Sequence, residues 1–276
     1  MGLYLPTRAM NVLGVGDPSG ASGGLAPNAF PNLQAWHAAD YGTFTDTLLA
    51  TPTTLNGDVV GSWYNKAATA WHPIQATEAR KPTWRTNVVN GLPIMRFDGS
   101  NDRLAFPSAA FGMLNNIGGF TVYAVSASAA SHAGYIFFGS ENSGSARSTL
   151  QYATTSRIAT FDRRLDGVGG QTLSGTNNEA PNATFKVFST VVDYTNSDAF
   201  LYVNGALSTT STSFLTDGST SATNSTVINY GATGSGATPL NGDIAEILVY
   251  NVAHTAAATR SAIHSYLGAK YGITVS

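Results

Sequence analysis

The sequence contains no cysteine, which excludes disulfides, thiolate zinc sites and a cysteine nucleophile together. Charged residues are scarce as well. They make up 11% of the 276 residues, and 14 Lys and Arg against 16 Asp and Glu give a formal net charge of −2. Because a nucleic-acid-binding protein needs a concentrated basic face, we expect no nucleic-acid partner.

Long hydrophobic runs are also missing, since no stretch approaches the ~18 apolar residues of a membrane span. Residues 1–8 do not show the basic segment and apolar stretch that begin a secretory signal. We therefore expect a soluble protein without a membrane span, and no secretory signal unless one has been removed. The 43% of hydrophobic residues are enough to build a substantial core.

The first thirty residues differ in composition from the rest of the chain. Residues 16–24 read Gly-Asp-Pro-Ser-Gly-Ala-Ser-Gly-Gly, and Pro27 and Pro31 follow. Gly/Ser stretches are flexible and proline removes a backbone donor. We predict an N-terminal arm and linker over residues 1–30 and one globular domain over residues 31–276.

Within that domain, short runs rich in β-branched and aromatic residues alternate with turn signals, a pattern typical of an antiparallel sandwich. Asn-Gly or Asp-Gly pairs supply the turns at 56–57, 90–91, 98–99, 166–167, 204–205 and 217–218. One helix is predicted near the C-terminus, with Thr255 as its cap and Gly272 as its stop. We expect it to lie on the edge of the sandwich with Ile263 and Leu267 pointing inward.

Seven short phrases follow one another in order along this domain. They are LQAWHAAD (33–40), VGSWYNK (60–66), QATEARKPT (75–83), NGLPIMRFDG (90–99), LYVNG (201–205), LNGDIAEILVYN (240–251) and YLGAKYGI (266–273). With these phrases the chain resembles the concanavalin A-like, laminin-G-like jelly-roll superfamily. The resemblance implies an all-β, two-sheet antiparallel jelly-roll sandwich with a short C-terminal helix, and the extended N-terminal arm predicted from composition precedes it. It also implies a choice of functions, because many members bind carbohydrate, some are glycosidases, and related modules occur in secreted bacterial proteins and phage virions.

Retaining glycosidases of this superfamily carry Glu-x-Asp-x-x-Glu on one strand, which sets two carboxyl groups about 5–5.5 Å apart. The matching positions here are Asn241, Asp243 and Glu246. An amide cannot replace the nucleophilic carboxylate, so we expect no catalytic residues and no enzyme activity. Hydrogen bonds to the backbone or the sheet edge are expected to hold Asp243 and Glu246 in place.

The remaining polar residues suggest one possible metal site, for calcium, whereas the histidines do not suggest another. Asp98, Asn101 and Asp102 place three oxygen-bearing side chains in one loop, as a Ca²⁺ site requires, although such residues also stabilise turns. Calcium is thus an open alternative, made less favourable by Ala245, where many related sandwiches have an aspartate. The five scattered histidines are interpreted as loop or surface imidazoles and not as metal ligands; they are His37, His72, His132, His254 and His264.

Sugar recognition needs an exposed aromatic plane flanked by polar side chains. The aromatic-rich region between residues 63 and 85 supplies the candidates, which are Tyr64, Trp71, His72, Trp84 and Arg85. Trp36 and Trp63 stand where the resembling family buries an aromatic residue, so we expect both in the core. For Trp71 and Trp84, a place at the core edge and a place on the binding surface both remain open.

Taken together, these features favour a non-enzymatic protein of a bacteriophage particle, a decoration protein or tail appendage that adheres to host-surface glycans. Its partners would be other virion proteins, reached through the N-terminal arm, and we expect an oligomer or part of a larger assembly. The alternatives are a secreted bacterial carbohydrate-binding module or weak glycoside hydrolase, and a purely structural protein without a ligand.

Overall fold

β-Strands are the main regular secondary structure of the described chain. The computed structural model describes residues 25–129, 132–139, 146–154, 156–221 and 228–276. The strands are β1 (Leu33–Ala38), β2 (Thr43–Phe44), β3 (Ser62–Trp63), β4 (Thr83–Val89), β5 (Leu92–Asp98), β6 (Leu104–Ala105), β7 (Gly119–Ser128), β8 (Gly134–Phe138), β9 (Thr149–Ala153), β10 (Arg157–Asp162), β11 (Gln171–Ser174), β12 (Lys186–Asp193), β13 (Asp198–Val203), β14 (Ala206–Ser211), β15 (Asn229–Tyr230) and β16 (Asn241–Tyr250). One α-helix, α1 (Ala257–Tyr271), follows them, and 3-10 helices cover Pro27–Ala29, Glu78–Arg80 and Ser108–Leu114.

The strands form two antiparallel sheets. The larger has eight strands, in the order β14-β13-β12-β7-β16-β5-β4, and β1 pairs with the C-terminal half of β16 beside β5. The smaller has six, in the order β11-β10-β9-β8-β15-β6, and β2 and β3 form a separate ribbon. The predicted all-β sandwich with a C-terminal helix is confirmed.

The main core lies between the two sheets, and β7 shows how the sequence produces it. Phe120, Val122 and Ala124 point into this core, while Tyr123 and Val125 point to the outer face of the larger sheet. All five side chains are fully buried, so the strand is apolar on both faces. Each large apolar side chain buried in this way stabilises the fold by roughly 1.5–3 kcal/mol.

Helix α1 explains why the outer face of β7 is apolar. Ile263 and Leu267 are buried as predicted, and they belong to a second core cluster with Tyr123, Val125 and Leu248. The helix therefore covers the outer face of the larger sheet, and the prediction that it lies on the edge of the sandwich was wrong. Helical periodicity identifies the buried side of α1 but not the surface against which that side packs.

The two ends of α1 differ in how well the sequence predicted them. Gly272 ends the helix in the left-handed conformation with φ of +65°, as expected. The predicted cap Thr255 is wrong, because the N-cap residue is Ala256 and no side chain caps it. Instead the guanidinium of Arg260 donates hydrogen bonds to the backbone oxygens of His254 and Thr255.

The six predicted turns are present, since the glycine of each Asn-Gly or Asp-Gly pair has positive φ. Residues 1–24 of the predicted arm lie outside the described residues. Its last residues pack on the body, where Pro27 is buried and its oxygen accepts a hydrogen bond from the Tyr250 hydroxyl at 2.9 Å. In the part of the chain that the structure describes, none of the helices has the length and apolar character of a membrane-spanning segment.

Three histidines are buried, contrary to the expectation of loop or surface imidazoles. His37 contacts the rings of Trp63 and Tyr230 in the core, and its burial holds its pKa well below the ordinary value. Burial also lowers the pKa of His254 and of His264 to about 4. His254 is hydrogen-bonded to the Tyr123 hydroxyl and His264 to the Ser189 hydroxyl. These partners lie far away along the chain, so local sequence does not predict them.

Candidate functional site

The residues predicted to bind carbohydrate fall into separate groups in the structure. The rings of Tyr64 and His72 stack on each other, with 4.7 Å between their centroids. Trp71 and Trp84 are partly buried against the main core, and the Trp84 indole donates a hydrogen bond to a backbone oxygen. Both tryptophans thus lie at the edge of the main core, and their part in sugar binding stays a prediction. Arg85 lines a cleft on the outer face of the larger sheet.

A third ring, that of Tyr41, extends the Tyr64–His72 pair. Tyr41 contacts Tyr64 edge to face with 6.0 Å between centroids, and the two tyrosines are 44% and 37% exposed. We call Tyr41, Tyr64 and His72 the aromatic patch. The sequence analysis missed Tyr41, although it directly follows the phrase that ends in Asp40. Exposed aromatic rings beside polar groups are the feature that sugar stacking requires.

Gly42 allows the two tyrosines to meet. Its φ is +69°, and a Cβ atom built there would lie 2.5 Å from the Tyr64 Cβ. The Tyr64 N–H donates to the Gly42 oxygen at 2.7 Å. A larger residue at position 42 would separate the two segments that carry the patch.

Buried hydrogen bonds hold the patch from below. The backbone N–H of Asn65 donates to His72 Nδ1 at 2.9 Å, which leaves the ring proton of the neutral imidazole on Nε2. Burial lowers the pKa of His72, which favours that neutral form. The Asn65 side-chain oxygen accepts a hydrogen bond from the backbone N–H of Trp36 at 2.8 Å. The Lys66 ammonium lies 3.9 Å from the Trp36 ring centroid and 5.0 Å from that of Tyr41.

Glu246 of strand β16 is enclosed beneath α1. Its carboxylate accepts hydrogen bonds from Trp36 Nε1 at 2.6 Å and from the Tyr271 hydroxyl at 2.8 Å, and it forms a 2.7 Å ion pair with Lys270. Burial alone would raise the pKa of Glu246, but the Lys270 charge and the hydrogen bonds outweigh it and lower the pKa. Lys270 also pairs with Asp40 at 3.0 Å, so this network anchors the residue before Tyr41.

Asp243, three residues earlier, forms an ion pair on the open part of the same face. The Arg96 Nε and Nη2 atoms donate to its two carboxylate oxygens at 2.8 and 2.9 Å. A register shift between Ile244 and Glu246 keeps both carboxylates on the outer face. Side-chain ion pairs therefore hold these residues, where the sequence predicted backbone or edge hydrogen bonds. Glu246 has no exposed surface with which to contact a substrate.

In the proposed calcium loop, carboxylate oxygens of Asp98 and Asp102 already accept hydrogen bonds from backbone N–H groups of the same loop. Asp98 Oδ1 accepts the Ser100 N–H at 2.8 Å, and Asp102 Oδ2 accepts the Asp98 N–H at 3.0 Å. Burial, and secondarily the Asp98 charge, raises the pKa of Asp102 to about 7. The described residues contain no group of three His, Cys, Asp or Glu side chains suited to a metal ion. Calcium binding by Asp98, Asn101 and Asp102 stays a prediction.

The family of the chain follows from comparison with known proteins. Residues 98–258, more than half of the sequence, match the family model of the concanavalin A-like lectin/glucanases superfamily. The chain belongs to this superfamily. The resemblance seen in the sequence phrases is thereby confirmed, and the observed sandwich is the lectin-like fold of the superfamily. A search of the curated proteins found no match to the sequence.

Several solved structures are similar to the concanavalin A-like chain. A CBM40 domain of a Ruminococcus gnavus sialidase, bound to α2,3-sialyllactose, has 17% identity and a TM-score of 0.49, covering 62% of this chain and 96% of that one. A heptameric SAP-like pentraxin from Limulus polyphemus has 13% identity and a TM-score of 0.46, covering 62% and 80%. A Trypanosoma rangeli sialidase has 14% identity and a TM-score of 0.49, covering 90% and 37%. These likenesses do not identify what this chain binds.

Proposed function

We propose that the protein is a non-catalytic, glycan-binding module that contacts sugar through the aromatic patch. The observation that carries the proposal is the exposure of Tyr41 and Tyr64 on a superfamily jelly roll. Tyrosine presents an apolar ring to the C–H face of a sugar and a hydroxyl to its polar groups. Because buried bonds already hold the patch, little side-chain entropy is lost on binding.

The arrangement of β16 supports a non-catalytic role. A retaining mechanism needs two carboxyl groups about 5–5.5 Å apart across the scissile bond. Asn241 occupies one of the three motif positions, Asp243 is paired with Arg96, and Glu246 is buried beneath α1. We expect no release of reducing sugar from any glycan that the protein binds. Release that Asp243→Asn and Glu246→Gln both abolish would contradict this.

A glycan array tests the binding itself. We expect the wild-type protein to retain a defined set of glycans, and the variant Tyr41→Ala/Tyr64→Ala to lose them by about tenfold or more in affinity. Leu207→Ala is the matched control, because Leu207 is an exposed apolar residue on β14, 52% exposed. An empty array with wild-type protein, or equal binding by the tyrosine variant, would refute the proposal.

The biological setting of this glycan-binding module is a separate part of the proposal. We infer attachment to a bacteriophage particle as a decoration protein or tail appendage, supported by the family resemblance and by the Gly/Pro-rich composition of residues 1–30. A secreted carbohydrate-binding module is the alternative. Deletion of residues 1–24, which stops before the part of the arm that packs on the domain, should abolish incorporation into particles and leave glycan binding intact. Unchanged incorporation would contradict the role of the arm.

A further inference from the structure

A second candidate site, a polar cleft, lies on the part of the larger sheet's outer face that α1 leaves uncovered. It is a cleft of about 330 Å³ with the 3-10 helix before β4 as one wall. Its lining includes Thr83 and Arg85 from β4, Arg96 and Asp98 from β5, and Asn241 from β16. The aromatic patch does not contribute to this lining, so the cleft is a different surface.

Strand register explains why these side chains converge. Arg85 is opposite Ile94, and Thr83 is opposite Arg96, which is in turn opposite Asp243. Ile94 belongs to the cluster under α1, which identifies this as the outer face. Alternation along β4 and β5 then puts the Arg85 and Arg96 side chains on that face as diagonal neighbours on adjacent strands.

Two of the three cations that line the cleft have a carboxylate partner, since Lys81 pairs with Glu78 and Arg96 with Asp243. Arg96 is bound by both oxygens of Asp243. For Arg85, no hydrogen bond or ion pair occurs among the described residues, and its Nε atom is buried without a partner. An anion in the cleft would supply the partner that the described residues do not give to the Arg85 guanidinium.

Two further carboxylates, those of Asp98 and Asp102, also line the cleft. Asp98 Oδ1 accepts the backbone N–H of Ser100, and Asp102 Oδ2 accepts that of Asp98. They therefore stabilise the loop after β5. The free hydrogen-bonding capacity near Arg85 is that of a planar guanidinium, which matches the two oxygens of a carboxylate.

We propose that this cleft binds a carboxylate-bearing sugar, with Arg85 pairing with the carboxylate. The Thr83 hydroxyl and the Asn241 amide line the same cleft and offer partners to sugar hydroxyls. The volume lies at the lower end of the range for small-ligand pockets, which suits one sugar unit. The site goes beyond the proposed function, because it is separate from the aromatic patch and adds selectivity for acidic glycans.

Titration of the full chain with D-glucuronate, followed by backbone amide NMR, tests this inference. We expect shifts at Arg85 and Asn241, and a large loss of binding with the methyl ester of glucuronate, which removes the charge and adds one methyl group. Arg85→Gln should weaken glucuronate binding by about tenfold or more. Arg157→Gln, on β10 of the other sheet, is the matched control and should bind as wild type does.

Four outcomes would overturn the inference. They are no shift at millimolar glucuronate, equal binding of acid and ester, unchanged binding by Arg85→Gln, and acetate binding as tightly as glucuronate. The Tyr41→Ala/Tyr64→Ala variant separates this site from the proposed function. It should retain glucuronate binding, whereas loss in that variant together with retention in Arg85→Gln would place acidic sugars on the aromatic patch.

Discussion

Two carboxylates three residues apart on β16 have opposite environments. Asp243 lies on the open half of the outer face, paired with an Arg96 side chain that is 45% exposed. Glu246 lies on the half that α1 covers, where it is 0% exposed and its partner Lys270 is 8% exposed. The spacing resembles that of a catalytic motif, but burial decides what each group can do. The covered half holds α1 in place, and the open half leaves polar groups available to a ligand.

The largest expected effect concerns the covered half. Lys270→Met leaves Glu246 buried without its counter-charge, and breaking a buried pair in this way costs about 3–5 kcal/mol. Urea unfolding should therefore show a much lower free energy of unfolding. The double variant Glu246→Gln/Lys270→Met should recover part of the loss, because no unpaired charge remains. A loss below about 1 kcal/mol in the single variant would contradict the importance of this pair.

Acid should destabilise the covered half through its histidines. The folded-state pKa of His264 is about 4, below the roughly 6.5 of an unfolded histidine. Between these values the unfolded chain binds more protons, so stability falls as the pH falls from 6.5 towards 4. We expect His264 to contribute roughly 2 kcal/mol to this loss. Unfolding curves of His264→Gln at pH 7 and pH 4.5 should show a smaller difference than those of wild type, and an equal difference would contradict the assignment.

The open half should respond to pH with the opposite sign. Burial, followed by the Asp98 charge, raises the folded-state pKa of Asp102 to about 7, above its unfolded value. Between the unfolded value of roughly 4 and the folded value of about 7 the folded state binds more protons, so this contribution to stability is lost as the pH rises through that range. Asp102→Asn should stabilise the protein by about 1 kcal/mol at pH 8 and hardly at all at pH 4. Thermal unfolding in EDTA measures this, and destabilisation at pH 8 would contradict it.

The smallest effect is expected for the exposed ion pair. Arg96→Met should cost at most about 1 kcal/mol, because solvent and salt screen a half-exposed pair. Replacing the cation by methionine in each ion pair thus compares the stability that the two halves of β16 gain from their pairs. A cost for Arg96→Met equal to that for Lys270→Met, under the same urea conditions, would remove the distinction.

Local sequence patterns predicted the repetitive features of the fold well. Runs rich in β-branched and aromatic residues predicted the antiparallel sandwich, and the Asn-Gly and Asp-Gly pairs located six turns. These features depend on neighbouring residues and on backbone conformation, both of which a single sequence displays. The face that α1 covers was predicted wrongly, because it depends on contacts with distant strands.

The candidate site was only partly predictable for the same reason. Tyr64 and His72 were identified from an aromatic-rich segment, and the structure brings them together. Tyr41 comes from a different segment and joins them through the turn at Gly42. The buried environment of Glu246 depends on Lys270, which belongs to α1. Such pairings across the chain leave no local signal.

The central claim, sugar binding by the aromatic patch, is tested most directly by NMR with ring-labelled tyrosine and a glycan retained on the array. The ring resonances of Tyr41 and Tyr64 should shift on titration, while that of Tyr135, on β8 of the smaller sheet, should not. Saturable shifts confined to the two patch tyrosines are the predicted result. Binding that leaves both of their resonances unchanged would contradict the account.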